Sequence, residues 1–153
     1  MHEALAAAAD AAAAGDVPVG AVVIRGDAVI AQASNRTVRD QDPTAHAETL
    51  AIRDAARALG RWRLDDCTLV VTLEPCAMCA GAAVLARMHR VVFGAWDEKA
   101  GMAGSVGDLL RHARLNHRPE VVAGVLRDEC AHVLSEFFRS RRAHAAGSEA
   151  APD

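Results

Sequence analysis

Two short stretches of the sequence hold the residue types that bind metals and move protons. The first, PTAHAE, contains His46 and Glu48, and the second, PCAMC, contains Cys76 and Cys79. Two cysteines separated by two residues can belong to a metal site, a redox-active dithiol or a pair of buried thiols. Which of these applies depends on the residues that fold beside the pair.

The spacing within each stretch favours different roles for its members. Residues three apart share one face of a helix, so Cys76 and Cys79 can point at the same ion. Residues two apart do not, so His46 can bind the ion while Glu48 stays free beside it. Two thiolates and an imidazole suit zinc and leave its fourth position to water, as in a catalytic site. Zinc lowers the pKa of that water to about 7, and Glu48 can then take its proton and pass it on.

Each part of this pattern also has a plainer interpretation. A single helical histidine usually makes a structural hydrogen bond, and a single helical glutamate is usually solvated. A redox role for the cysteine pair is disfavoured because Ala77 and Met78 lack the aromatic or Gly-Pro context of thiol oxidoreductases. Cys67 and Cys130 could complete a structural four-cysteine site, but each stands alone, and both are interpreted as core thiols. Taken together, two such stretches at the starts of predicted helices favour catalytic zinc.

Length and composition predict a single soluble domain. With 153 residues, 52% of them hydrophobic, the chain can bury one core. No apolar run reaches the ~18 to 20 residues of a membrane span, and the alanine-rich N-terminus lacks the basic segment of a signal peptide. We therefore expect a cytoplasmic protein with reduced cysteines and no membrane partner. The net charge is −3, yet a C-terminal cluster forms either a local basic face or ordinary solvated charge: Arg139, Arg141 and Arg142.

The hydrophobic pattern predicts a mixed α/β sheet with helices on both faces. Apolar β-branched runs predict a hairpin around Gly26 and Asp27 and three further strands. Asp42, followed by proline, is expected to cap the second helix. A glycine-rich loop over 96–107 looks too long to be only a connector. The expected helices cover 1–14, 42–60, 74–88 and 128–142, and the expected strands cover 19–25, 28–33, 68–73, 90–95 and 120–126. One domain is expected over 1–142, followed by a disordered tail over 143–153.

The two chemical stretches together resemble a known signature. His46-Ala47-Glu48 followed by Pro75-Cys76-Ala77-Met78-Cys79 resembles the motif of the zinc-dependent cytidine/deoxycytidylate deaminase superfamily. Over residues 3–142 the chain is similar to the bacterial tRNA-specific adenosine deaminase family, in the stretches VPVGAVVI, DPTAHAE, TLEPCAMCAGA, RVVFGAWDEKAG and EFFRSRR. The resemblance implies a three-layer α-β-α, cytidine-deaminase-like fold with a five-stranded mixed sheet. It also implies a homodimeric hydrolase that converts the wobble adenosine (A34) of an arginine tRNA anticodon to inosine.

The resemblance further implies roles for single residues. It implies one zinc ion per chain, held by His46, Cys76 and Cys79, and no organic cofactor. Zinc-bound hydroxide would attack C6 of adenine, with loss of ammonia, while Glu48 shuttles the protons. Asn35 matches the asparagine that recognises the base. Further positions match contacts to the tRNA anticodon loop: Asp97, Lys99, Phe138 and Arg141.

Three alternatives stay open at the level of the sequence. Asn35 could be a turn residue rather than a reader of the base. A deaminase of a free base or nucleoside, such as guanine or cytosine, would use the same chemistry without needing a basic C-terminal helix. A zinc-stabilised RNA-binding module would need the metal ligands but not Glu48.

Overall fold

The computed structural model describes residues 1–148 and the side chains up to residue 145. Its sheet comprises β1 (Gly20–Arg25), β2 (Ala28–Ser34), β3 (Thr68–Leu73), β4 (Arg90–Ala95) and β5 (Glu120–Ala123). The strand order is β2-β1-β3-β4-β5, with β1 antiparallel to both of its neighbours and β3, β4 and β5 parallel to one another. The predicted five-stranded mixed sheet is therefore confirmed.

Four helices cover the two faces of this sheet: α1 (His2–Ala13), α2 (Ala47–Leu59), α3 (Ala77–Leu85) and α4 (Arg127–Ser148). α1 and α4 contact each other on one face, and α2 and α3 contact each other on the opposite face. The main core lies between the sheet and the α2–α3 layer, where strand side chains such as Val23, Val71 and Phe93 meet helix alanines. These are the three α-β-α layers that were expected.

The alanine-rich sequence of α1 is explained by how closely this helix approaches the sheet. A Cβ atom on Gly20 would lie 1.9 Å from the carbonyl oxygen of Ala4 and 2.5 Å from the amide nitrogen of Ala8. Only glycine therefore fits at the start of β1 under this helix. The helix residues that face inward are all small: Ala4, Ala7, Ala8 and Ala11.

The ends of several elements differ from the prediction for local reasons. β5 stops at Ala123 rather than at 126, because Gly124 and Leu126 have positive φ angles of 81° and 50°, outside the strand region. α3 ends at Leu85 rather than at 88, just before Arg87, whose φ is 60°. Each shift moves a boundary and leaves the element in place.

The C-terminal boundary also differs from the prediction. α4 continues to Ser148, so residues 143–148, expected in the disordered tail, are helical. The rest of that tail, 149–153, lies outside the described residues. Among the helices within residues 1–148, none combines the length and the apolar character that crossing a membrane requires.

Candidate metal and catalytic site

His46 stands immediately before α2 rather than within it. Asp42 was expected to cap this helix, but its Oδ1 accepts hydrogen bonds from the backbone N–H of Thr44 at 2.8 Å and from Thr44 Oγ1 at 2.7 Å. These bonds close a separate turn, as short polar side chains commonly do. The helix therefore begins at Ala47, and His46 is its N-cap residue with extended backbone angles (φ −76°, ψ 149°).

Cys76 has the same position at the start of the next helix. It is the N-cap residue of α3, with φ −72° and ψ 176°, and Pro75 precedes it. The predicted start of this helix at 74 is thus three residues before its first helical residue, Ala77. Cys79 lies in the first turn of α3 and is fully buried. Both thiols therefore lie at a helix N-terminus, where the partial positive charge of the helix favours thiolates.

The two helix starts bring three metal-binding side chains together. The ligand atoms of His46, Cys76 and Cys79 all lie within 4.8 Å of one another. His46 Nδ1 is 3.6 Å from Cys76 Sγ and 3.5 Å from Cys79 Sγ. Two sulfur donors and one imidazole on a shared centre fit zinc, with three protein ligands and a fourth position open. The donor set therefore matches the predicted zinc site.

The two thiols differ in their protonation before a metal binds. The pKa of Cys76 is lowered to about 4, first by the hydrogen bond from Cys79 and then by the one from His46. The pKa of Cys79 is raised, first because its thiol donates to Cys76 and then by burial. One thiolate is therefore preformed, and a metal ion would displace the proton of the second.

The other two cysteines do not join this site. Cys67 and Cys130 are buried and free, and burial is the main reason that the pKa of Cys67 is raised to about 11. Within residues 1–148 the metal-binding cluster contains neither of them. The alternative of a four-cysteine structural site is therefore excluded, and both residues are core thiols as expected.

Glu48 lies beside the ligands but outside their cluster. It occupies the first turn of α2, and only 4% of its surface is exposed. Burial raises the pKa of its carboxyl to about 7, against smaller opposing effects of its own backbone N–H and of His46. A carboxyl with a pKa near neutrality can both accept and donate a proton.

A cavity of about 220 Å³ opens over these residues. This is below the ~300 to 1,000 Å³ typical of sites for drug-sized ligands, so it suits a group the size of a single base. His46, Glu48 and Cys76 line one side of it. The rest of the lining consists of Val17, Val19, Asn35, Thr37, Ala47, Leu73, Glu74, Asp97 and Ala100.

Asn35 presents an unused hydrogen-bond acceptor at this cavity. Its side chain is 6% exposed, and Nδ2 donates to the backbone carbonyl of Val17 at 3.1 Å. Its Oδ1 is buried and has no partner among the described residues. A buried polar atom without a partner is costly, so this oxygen is available to a ligand that brings a donor.

Glu74 is a structural centre of the site that the sequence interpretation missed. It was assigned only to the boundary between β3 and the next helix, yet it is 1% exposed and lines the cavity. Oε2 accepts hydrogen bonds from Asp97 N at 2.9 Å and from Ser105 Oγ, and Oε1 accepts from the N–H groups of Ala103 and Ser105, each at 3.0 Å. The available signal was an acid placed between a buried strand and a proline, ahead of a glycine-rich loop.

The loop that Glu74 holds carries two of the predicted substrate contacts. Asp97 lines the cavity, and its Oδ1 accepts from the N–H groups of Lys99 at 3.0 Å and Ala100 at 3.2 Å. A second, wider cavity of about 750 Å³ continues from Asp97 between this loop and α4. Lys99 and Phe138 line that second cavity together with Trp96 and Arg127.

Arg141 is the predicted contact that reaches neither cavity. Its guanidinium donates a hydrogen bond to the carbonyl of Gly15 and stands 5.0 Å from the ring centre of Phe137. Phe138, on the next position of α4, is 45% exposed, and its ring meets that of Phe137 edge-on at 5.4 Å. Of the two phenylalanines, Phe138 therefore faces the second cavity.

The sequence and fold are those of a known deaminase group. The family model of the MafB19-like deaminases matches residues 1–142. The tRNA-specific adenosine deaminase of Bacillus subtilis is 51% identical over 142 residues, which cover 93% of this chain and 88% of that protein.

Solved structures agree with this assignment. A structure from work on A-to-I editing by tRNA:A34 deaminases at the wobble position of transfer RNA has a TM-score of 0.85 and 42% identity, covering 88% of this chain and 97% of that one. Guanine deaminase from Nitrosomonas europaea has a TM-score of 0.77 and 27% identity, covering 89% and 81%. From its family match, its sequence identity and its metal-binding cluster, the chain belongs to the tRNA-specific adenosine deaminase family of zinc-dependent hydrolytic deaminases.

Proposed function

We propose that this protein converts the wobble adenosine, A34, of an arginine tRNA anticodon to inosine. The observation that carries the proposal is the smaller cavity, which has the size of one base. It is lined by metal ligands, by the buried acid Glu48 and by Asn35, whose side-chain oxygen is a free acceptor. The similarity to tRNA-specific adenosine deaminases supports tRNA as the substrate. The choice of the arginine tRNA rests on the family resemblance of the sequence.

Zinc is the metal proposed for the cluster of His46, Cys76 and Cys79. When bound, it supplies a water whose pKa is lowered to about 7, so that hydroxide is available near neutral pH. The cavity opens directly over two of these ligands, His46 and Cys76. A base held in the cavity would thus have its reacting carbon beside the metal.

Glu48 is proposed to carry the protons of the reaction. Its raised pKa, near 7, allows it to take a proton from water and deliver it to N1 of adenine as oxygen adds at C6. It then transfers a second proton from the added oxygen to the amino group, which leaves C6 as ammonia. One water is consumed, the C6–N bond is replaced by a C6–O bond, and inosine remains.

Asn35 is proposed to orient the base. The Nδ2 group of Asn35 already donates a hydrogen bond to the carbonyl of Val17. Its Oδ1 would therefore accept a hydrogen bond from an N–H group of the purine. A base that offers a donor to this buried oxygen removes the cost of leaving it unpaired. A base without such a donor would bind in the same cavity less well.

The wider cavity beside the loop is proposed to hold nucleotides next to A34. Trp96 and Phe138 are 42% and 45% exposed there, and Lys99 and Arg127 supply positive charge. Single-stranded loops bind proteins through splayed bases that stack on aromatic rings and phosphates that meet cations. Asp97, at the junction of the two cavities, would face the sugar or base next to the reacting one.

Arg141 is proposed as a phosphate contact at the edge of this surface. It lies in the second half of α4 with Arg139 and Arg142, so three arginines are clustered there although the net charge of the chain is −3. RNA affinity should therefore fall steeply as salt rises, with a log–log slope near −0.7 for each phosphate contacted. A flat response to salt would argue against this basic surface.

The resemblance also supports a homodimer and a cytoplasmic location, where tRNA is modified. Sedimentation of the purified protein tests the first of these. A mass of two chains at the concentrations used in the assays is expected, and a mass of one chain would contradict the homodimer.

The central test is an inosine assay on a defined RNA. Wild-type protein loaded with zinc is incubated with an anticodon stem-loop of arginine tRNA carrying A34, and inosine is measured after nuclease digestion. The control RNA is identical except for guanosine at position 34. Formation of inosine from the first RNA is expected, and its absence would refute the proposed function.

Guanine deamination is the competing candidate, because guanine deaminase from Nitrosomonas europaea has the same fold. Ammonia release from free guanine, cytosine and cytidine separates the two. Alanine at Arg139, Arg141 and Arg142 provides a second discriminator, since an RNA substrate needs these cations and a free base does not. Turnover of guanine without formation of inosine would favour the competitor.

A further inference from the structure

The carboxylate of Asp16 is completely buried where α1 meets β1, and no step proposed above uses it. Its Oδ1 accepts a hydrogen bond from the backbone N–H of Val38 at 2.7 Å, and its Oδ2 accepts one from Arg39 Nε at 3.1 Å. A buried charge is costly unless it is paired and hydrogen-bonded in this way. Asp16 therefore anchors the turn that contains Val38 and Arg39.

The guanidinium of Arg39 links this anchor to Asn35. Its Nη2 donates to the backbone carbonyl of Asn35 at 3.2 Å and to Ser34 Oγ at 3.3 Å, while Nε stays on Asp16. The planar fork of arginine permits bonds in several directions at once, which a lysine ammonium on one flexible stem cannot reproduce. One side chain thus joins the buried acid to the backbone of Asn35.

The residue after Asp16 fixes the direction of the Asn35 amide. The backbone N–H of Asn35 donates to Val19 O at 2.9 Å, and its Nδ2 donates to Val17 O at 3.1 Å. The carbonyl of Val17 can only accept, so the amide must turn its nitrogen towards Val17 and leave Oδ1 free. Movement of the corner that holds Val17 would therefore turn the free oxygen away.

We propose that Asp16 and Arg39 are positioning residues that hold Asn35 with its carbonyl oxygen available to the base. Val17, Asn35 and Thr37 line the cavity, whereas Asp16 and Arg39 do not, so the pair acts through Asn35. The inference rests on the proposed function in one respect, namely that a base occupies the cavity. The geometry of Asn35 itself is a property of the protein without substrate.

A double-mutant cycle tests whether Arg39 acts through Asn35. The variants are Arg39→Ala, Asn35→Ala and the double variant, and kcat/KM is measured on the A34 stem-loop. Displacement of a positioned group by about 1 Å can cost about 10²-fold, so Arg39→Ala should lose at least about 10-fold. In the Asn35→Ala background the same substitution should have no further effect. Equal losses in both backgrounds would show that Arg39 acts on stability or elsewhere, and would overturn the proposal.

Arg36→Ala is the matched control. Arg36 lies in the same turn and pairs with Asp40 at 2.7 and 2.8 Å on the protein surface, without hydrogen bonds to Asp16 or Asn35. It should retain wild-type kcat/KM. Arg39→Lys guards against unfolding, since it keeps the charge beside Asp16 but loses the fork. It should melt near the wild-type temperature, retain its zinc and still lose activity. Wild-type activity in Arg39→Lys would overturn the proposal.

NMR spectroscopy tests the positioning without any substrate. The side-chain amide protons of Asn35 should exchange slowly with solvent in the wild-type protein and in Arg36→Ala, because Nδ2 is bonded to Val17. In Arg39→Ala and Arg39→Lys these protons should exchange at least about 10-fold faster, because the Asn35 side chain spends more time without its hydrogen bond to Val17. Unchanged exchange would refute the role of Arg39 even if the inosine assay on the wild-type protein were negative. Faster exchange with no inosine would instead refute only the proposed function.

Discussion

Two buried glutamates line the same cavity in opposite electrostatic settings. Glu48 and Glu74 are 4% and 1% exposed, and each is two positions along the chain from a predicted metal ligand. Burial raises the pKa of Glu48 to about 7. Burial alone would also raise the pKa of Glu74, but hydrogen bonds from Ser105 and from three backbone N–H groups outweigh it and lower that pKa.

Both side chains have little exposed surface, and they differ in the number of hydrogen-bond donors that reach the carboxylate. Glu74 receives bonds from the side chain of Ser105 and from N–H groups of Asp97, Ala103 and Ser105, which all favour its charged form. Glu48 has its own backbone N–H and the Cys79 thiol nearby. A carboxylate with many fixed donors organises a loop, whereas one with few can exchange protons. We therefore expect the two acids to respond oppositely to substitution.

The largest expected effect is on activity in Glu48→Gln. Glutamine keeps the shape of the side chain but cannot carry a proton, and general acid–base groups contribute about 10²- to 10⁴-fold to rates. We expect kcat for inosine formation to fall by at least about 10²-fold, measured in single turnovers at saturating RNA.

Zinc content and unfolding temperature are the controls for this variant. Both should stay near wild-type values, because Glu48 lies outside the ligand cluster and organises no loop. Retained zinc with lost activity would rule out a non-catalytic RNA-binding module. Inosine formation at the wild-type rate would refute the assigned role of Glu48.

The reciprocal substitution, Glu74→Gln, should mainly affect stability. A glutamine amide group would place N–H donors opposite some of the N–H and O–H groups that now donate to the carboxylate. Each buried donor left unpaired costs about 1 to 3 kcal/mol. Urea unfolding should thus show that the free energy of unfolding falls by at least about 1 kcal/mol, since one or two donors are left without an acceptor.

Glu74→Gln should change mainly KM, whereas Glu48→Gln should change mainly kcat. The loop carries Asp97 and Lys99, which are proposed to contact the RNA, so KM should rise while single-turnover kcat at saturating RNA changes less. If kcat falls as far as in Glu48→Gln, the separation of the two acids into a catalytic and a structural one is wrong.

The contrast between these acids also marks what could be predicted from the sequence. His46, Glu48, Cys76 and Cys79 were identified because their meaning is local: each pair lies within one turn of chain at the start of a helix. The strands were predicted for the same reason, since their apolar runs are continuous. The proton-carrying role of Glu48 was predicted from its spacing to His46 taken together with the PCAMC stretch.

What escaped prediction depends on residues that are distant in sequence. Glu74 takes its donors from a loop up to 31 positions further along, and Asp16 meets Arg39 across 23 positions. Arg141 was predicted only as a tRNA contact, and its hydrogen bond to Gly15, 126 positions away, was not foreseen. Hydrogen-bond partners of this kind are set by the packing of layers, and no local pattern encodes them. The prediction that Asp42 caps α2 was wrong for a different reason, because its side chain closes a turn with Thr44 instead.

Gly101→Ala is expected to disturb the structural acid from the other side. A Cβ atom there would lie 2.2 Å from the carboxylate of Glu74 and 2.6 Å from the carbonyl of Asp97. Relief requires the loop to shift, and such overpacking typically costs about 1 to 3 kcal/mol. In urea unfolding, the loss of unfolding free energy in this variant should equal that in Glu74→Gln or be smaller. Gly26→Ala is a poor control because its φ is positive, so Gly81→Ala, whose added Cβ makes only ordinary contact at 3.8 Å, is preferred. Equal stability of Gly101→Ala and Gly81→Ala would contradict the tight packing of the loop around Glu74.

The smallest expected effect comes from Ser105→Ala, which removes one donor from Glu74 and leaves the other three. The hydroxyl bond to Oε2 is lost, but Asp97 N–H still serves that oxygen, and Oε1 keeps the N–H groups of Ala103 and Ser105. A hydrogen bond to a charged group contributes about 1.5 to 3 kcal/mol, and partial rehydration at this half-exposed loop should reduce the loss to about 1 kcal/mol. Combined with Glu74→Gln, the substitution should have less effect than alone, because the hydroxyl and the carboxylate act on each other. Full additivity of the two free-energy changes would mean that Ser105 stabilises the loop by another route, and the account of Glu74 as its organising centre would have to be abandoned.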